Sequence, residues 1–110
     1  MAQNFRRYLQ RNIGTSAVDV LGAPADSFDT VISIRLANTT TSTINADVYI
    51  TNTATDYYLI KNCPIVSGGS LELIDGGSKI VMASGDQLHV KSDTATSIDC
   101  IVATVDDIST

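Results

Sequence analysis

His89 is the chain's only histidine and its first candidate for acid–base chemistry. It stands in Gln87-Leu88-His89-Val90-Lys91, where Leu88 and Val90 take the inward parity of a strand, so His89 faces outward. No serine or cysteine nucleophile is tied to it by a local signature, and the expectation is an exposed strand histidine. Paired carboxylates can bind Ca²⁺ or hydrolyse glycosides. Here Asp26 and Asp29 flank Phe28, and Asp106 adjoins Asp107. Both pairs fall in turn or terminal segments with no calcium loop around them, and they read as solvated acids. Ser67-Gly68-Gly69-Ser70 and Asp75-Gly76-Gly77-Ser78 lack a phosphate-binding lysine and a following helix, which makes them hairpin turns. Cys63 and Cys100 lie in apolar strand contexts, and without C-x-x-C spacing they read as buried thiols rather than metal ligands or a disulfide. Tyr49, Tyr57 and Tyr58 could form an aromatic patch for sugar or protein, although inward packing of at least one of them is expected. No catalytic, cofactor-binding or metal-ligating residue is assigned, and no cofactor is expected.

The elements that would position such residues are strands. Ile32, Ile34 and Leu36 alternate with Ser33 and Arg35, and Ile44, Ala46, Val48 and Ile50 alternate with Asn45, Asp47 and Tyr49. A period of two puts each apolar set on one face, so residues 29–37 and 43–51 read as two half-buried strands joined as a hairpin by the polar run Thr39–Thr43. Further strands are expected at 17–21, 57–61, 71–74, 79–82, 87–91 and 98–105. Pro64 ends its strand or confines it to a sheet edge. The segment Ile98–Val105 is apolar on both parities, the pattern of a strand that is central or covered on its outer face by a partner. About eight short strands with regular turn signals and no long helix predict an all-β fold, an antiparallel β-sandwich of immunoglobulin-like or jelly-roll-like topology.

With 110 residues the chain suits one domain, and 44% hydrophobic against 17% charged residues places it with globular rather than disordered chains. No apolar run is long enough to span a bilayer, and no secretory leader is recognised, so no membrane partner is expected. Charge divides the chain. Arg6, Arg7 and Arg11 give residues 1–14 a charge of +3 with no acid among them. The remainder, 15–110, sets four cations against twelve acids, −8, and together these make the net −5. Residues 1–14, with Phe5, Tyr8 and Leu9 among the arginines, read as a basic arm or a short helix, ahead of a sandwich domain over 15–110. A basic arm complements the acidic body of another copy, whereas phosphate would be repelled by that body, so self-assembly is expected and nucleic-acid binding is not.

Several segments together resemble a known group: Met1-Ala-Gln-Asn-Phe-Arg-Arg-Tyr8, Gly14-Thr-Ser-Ala17, Asp26-Ser-Phe-Asp-Thr-Val31, Leu36-Ala-Asn-Thr39, Asp47-Val-Tyr-Ile50, Tyr57-Tyr-Leu-Ile-Lys61, Ser84-Gly-Asp86 and Val105-Asp-Asp-Ile-Ser-Thr110. The chain is similar to small virion structural proteins of tailed phages, notably those of cyanobacteria and other marine bacteria. That resemblance implies a non-enzymatic β-sandwich assembled on the particle in the host cytoplasm, as capsid decoration or as a neck or tail component. Its partners would be copies of itself and capsid, portal, neck or tail proteins. The expected contacts are the arm residues Phe5, Arg6, Arg7, Tyr8 and Arg11, and the outward side of the last strand at Ile101, Ala103 and Val105. The alternative is a binding module that takes host carbohydrate or a receptor through Tyr49, Tyr57 and the loops. A hydrolase built on the scattered aspartates is the remaining reading.

Overall fold

Alternation of apolar side chains becomes nine strands among the described residues of the computed structural model. It describes residues 4–21, 29–74, 80–83 and 85–106, with the backbone alone for Asn4, Phe5, Asp29 and Asp106. The strands are β1 (Asn4–Ile13), β2 (Val18–Asp19), β3 (Asp29–Asn38), β4 (Ile44–Asn52), β5 (Thr55–Ile65), β6 (Ser70–Glu72), β7 (Ile80–Met82), β8 (Gln87–Ser92) and β9 (Ile98–Asp106). They form two antiparallel sheets. Sheet A runs β1-β9-β3-β6, with β7 beside β6 on the same edge of β3, and sheet B runs β2-β8-β4-β5. All of this agrees with the all-β sandwich expected from the pattern.

The pairings are nested. β1 pairs with β9, β2 with β8, β3 with β6 and β7, and β4 with β5. Lateral pairs β3–β9 and β4–β8 then complete the sheets. A long antiparallel ribbon folded over on itself in this way is a jelly roll, which decides between the two topologies that alternation left open.

Two expectations change. β3 and β4 are not a hairpin: they lie in opposite sheets, and residues 39–43 turn the corner between them. The apolar faces of the two strands are thereby opposed across the core, which a hairpin would place side by side in one layer. Residues 4–13 are neither helix nor free arm. They are an edge strand hydrogen-bonded along β9, from Asn4 opposite Asp106 to Ile13 opposite Ile98. With β1 on one side and β3 on the other, β9 is a central strand: Ile98, Cys100 and Val102 face the core, while Ile101 on the other parity is 46% exposed. β5 holds Pro64 at the free edge of sheet B, where a missing N–H disrupts no ladder.

The inward residues make one core. Ile34 and Leu36 of β3, Ile44, Ala46 and Val48 of β4, Leu88 and Val90 of β8, and Ile98, Cys100 and Val102 of β9 are all at or below 1% exposed. Burial of each large aliphatic side chain is worth about 1.5–3 kcal/mol. The corners are held by buried polar groups. At the β3–β4 corner, the Asn38 amide donates to Ser42 O (2.8 Å) and Ile65 O (2.9 Å), while its Oδ1 accepts the Thr40 N–H (2.8 Å). At the adjoining β8–β9 turn, whose Ser97 O accepts the Thr39 N–H, Ser97 N–H donates to Ile13 O and Ser92 N–H to Gly14 O, all at 2.9 Å. Gly14 lies so close to this turn that a Cβ would stand 3.1 Å from Thr96 N and 3.2 Å from Ala95 Cα. On β3, the stretch between β6 and β7 has no strand partner on that edge. There Glu72 Oε2 accepts the Ile34 N–H at 3.0 Å, and the Leu73 N–H donates to Ile34 O at 2.9 Å.

Candidate functional site

The outer faces of the two sheets carry different chemistry. On sheet A, the register places Leu9 opposite Ile101, Arg7 opposite Ala103 and Phe5 opposite Val105. Across β9, Ile101 also faces Arg35, which in turn faces Glu72. Leu9 and Ile101 are 57% and 46% exposed, so two large aliphatic side chains meet in solvent on neighbouring strands. A shallow groove of about 330 Å³ runs beside them, lined by Leu9, Gln10, Arg11, Asp99, Cys100 and Ile101. Arg6, Arg7 and Arg11 are exposed. Tyr8 is different: it is opposite Val102 and packs against the core. Ala103 is half-buried and Val105 is buried, so of the three outward residues expected at a subunit contact, Ile101 is the accessible one. The Phe5 side chain lies outside the described residues, as do Asp26, Asp107 and the second glycine turn, Asp75–Ser78.

On sheet B, one row of residues crosses all four strands. Asp19 of β2 is opposite His89 of β8, His89 is opposite Tyr49 of β4, and Tyr49 is opposite Tyr58 of β5. The Tyr49 and Tyr58 rings have centroids 4.9 Å apart, and those of Tyr49 and His89 are 5.2 Å apart, both tilted. Lys61 Nζ closes the row, 4.8 Å from the Tyr58 centroid. Tyr57 and Tyr58 alternate on β5, so Tyr57, opposite Ile50, does not share the face of Tyr49. Of the three tyrosines, at least one of them expected to pack inward, Tyr57 and Tyr58 are exposed, at 58% and 45%, and Tyr49 is half-buried on the outer face. The outward parity of His89 holds, but the residue is half-buried between its neighbours rather than exposed.

The His89 ring is fixed by a hydrogen-bond chain. Thr51 Oγ1 donates to Asp56 Oδ1 at 2.7 Å and lies 3.0 Å from His89 Nδ1. A carboxylate only accepts, so the hydroxyl proton goes to Asp56 and the ring donates to Thr51 from a protonated Nδ1. Asp19 accepts the Leu21 N–H through Oδ1 at 3.1 Å, and its Oδ2 is buried with no partner. Burial raises the Asp19 carboxyl above the ordinary aspartate range, opposed by the Leu21 N–H and by His89. Burial, with the charges of Asp56 and Asp47 and the neighbouring Tyr58, likewise raises the Tyr49 phenol, which stays neutral. Beside this row, Thr15, Asn45, Asp47, Asn62, Lys91, Ser92 and Asp93 line a polar groove of about 260 Å³. Asp47 Oδ1 there accepts the Asn62 N–H at 2.7 Å, and Asp93 Oδ1 accepts the Asn45 N–H at 3.1 Å. The parity of Tyr49 and His89 is legible from alternation. Their meeting with Tyr58 depends on strand pairing, which no local signal carries.

Both cysteines are free thiols, Cys100 in the core on sheet A and Cys63 half-buried on sheet B. Burial pushes the Cys100 thiol up to about 12, and the thiolate is the reactive form. A thiol reagent such as Ellman's reagent is therefore expected to modify Cys63 in the folded protein and to reach Cys100 only after denaturation. Rapid reaction of both thiols in the native state would contradict the packing of β9.

Comparison of the chain with protein-family models, with curated proteins and with solved structures yields no match.

Proposed function

We propose that this chain is a non-enzymatic structural protein of a tailed-phage particle. It assembles with copies of itself and with capsid, neck or tail proteins through β1 and the outer face of sheet A. The observation that carries this reading is the exposed pair of Leu9, on the edge strand β1, and Ile101, on β9 beside it, with β1 also displaying arginines in an otherwise acidic chain. An edge strand offers a row of N–H and C=O groups to a neighbour's strand, and the apolar pair gains from being covered. The arginines suit the acidic remainder of a second copy, an attraction that salt weakens. The jelly roll adds a fold-level analogy, since viral capsid domains use it, and the resemblance of the sequence segments to virion proteins points the same way.

Two measurements test it. In sedimentation, the full chain is expected to associate at high concentration, and the Leu9→Asp/Ile101→Asp double variant to remain a folded monomer, because both side chains are exposed. In purified particles, copy number against the major capsid protein separates the positions: on the order of hundreds for capsid decoration, about a dozen for neck or tail. A chain that is monomeric at every salt and concentration, and absent from particles, overturns the reading.

A further inference from the structure

We infer that the outer face of sheet B is a binding site for a neutral glycan, with His89, Tyr49 and Tyr58 as a stacking row and the Asp47–Asn62–Lys91 groove as its hydrogen-bonding side. The surface lies on the opposite layer from the proposed assembly face, so the inference stands apart from that role.

The donor and acceptor set selects the ligand. A pyranose ring presents an apolar C–H face and a rim of hydroxyls that both donate and accept. The row supplies aromatic rings on adjacent strands, held rather than loose: His89 by Thr51 and Asp56, and Tyr49 between His89 and Tyr58. Rings already ordered lose little freedom when a ligand stacks on them. Asp47 and Lys91 are opposite each other, two residues along β4 and β8 from Tyr49 and His89, or about 7 Å along the strands. They bring a carboxylate and an ammonium to the rim of whatever stacks on the row, with the Asn45 and Asn62 amides beside them. Mixed acceptors and donors of this kind suit hydroxyls. Asp47, with Asp56 and Asp93 nearby, outweighs Lys91 and Lys61 and disfavours phosphate, sulfate and uronate groups on the face. An apolar protein segment finds no groove here, because the lining is polar.

The test uses the full-length chain, ¹⁵N-labelled, titrated with cellotetraose, maltotetraose and chitotetraose, and with a heparin tetrasaccharide as the anionic comparator. At least one neutral oligosaccharide is expected to shift the amides of residues 47–51 and 87–91 below about 10 mM, a range that captures a millimolar Kd, while heparin leaves them in place. Tyr58→Ala is expected to weaken that binding roughly ten-fold, equivalent to about 1.4 kcal/mol. Asp47→Asn, which keeps the Oδ1 acceptor for Asn62, is expected to weaken it several-fold. Tyr57→Ala should bind as the wild type does. Tyr57 and Tyr58 are both exposed, so both variants are expected to fold. The inference is overturned if no neutral oligosaccharide moves these amides, if heparin moves them more, or if Tyr58→Ala and Tyr57→Ala behave alike.

Discussion

Asn38→Asp is expected to lower the unfolding free energy by about 3–5 kcal/mol at neutral pH, the range for a buried charge left without a partner. Asn38 is 3% exposed, and its amide nitrogen faces two carbonyl oxygens, Ser42 O and Ile65 O. An aspartate would turn an oxygen toward both and leave the buried Ile65 carbonyl without its donor. The Thr40 N–H contact to Oδ1 survives the exchange, so the loss comes from the donor side alone. The variant's pH dependence gives the cause away. Carbonyls around a buried carboxylate disfavour its charged form, so the folded-state pKa of the introduced carboxyl lies above the unfolded value of about 3.9. Between those two values the folded state binds more protons than the unfolded one, and stability falls as pH rises. Urea unfolding of wild type and variant should therefore differ less near pH 4 than at pH 7. A constant gap would show that the donor contacts of Asn38 are not what holds the β3–β4 corner.

Leu36→Ala is the second large effect, about 2–5 kcal/mol, against a total stability of about 5–15 kcal/mol for a domain of this kind. Leu36 is 0% exposed in the middle of the β9-β3-β6 ladder, opposite Cys100 on one side and Leu71 on the other. Strands fixed on both sides cannot close in on the space left, so the cavity term adds to the lost transfer energy. Leu9→Ala is the matched comparison, since Leu9 is 57% exposed and exposed substitutions of this type stay within about 0.5 kcal/mol. The denaturation midpoint of Leu36→Ala should fall with its m-value unchanged. Equal effects at the two leucines would mean that sheet A is not packed as described.

Much of the fold is legible in the sequence because strand alternation is local. Side chains at i and i+2 point the same way whatever the strand pairs with, so Ile34 and Leu36, Ile44 to Val48, and Leu88 and Val90 are recognisable as inward without any topology. Pro64 marks an edge for an equally local reason. The candidate site is legible in part. Parity turns Tyr49 and His89 outward, yet which of Tyr57 and Tyr58 joins them is not a local matter, because the bulge between Val48 and Tyr49 shifts the β5 register. The arginines of residues 6–11 are visible as charge, and nothing local shows that their backbone is taken up by β9.

By itself, the sequence determined the period of the strands, the two-faced character of each, the turns between them, and the split between a basic start and an acidic remainder. These rest on backbone sterics and side-chain solubility within a few residues. Only the tertiary structure decided that Asn4–Ile13 is an edge strand, that β3 and β4 face each other across the core, and that His89, Tyr49 and Tyr58 form one row. Each of those depends on which strand lies beside which. Pairing energies differ little between partners, and the choice among them is made by burying every apolar face at once.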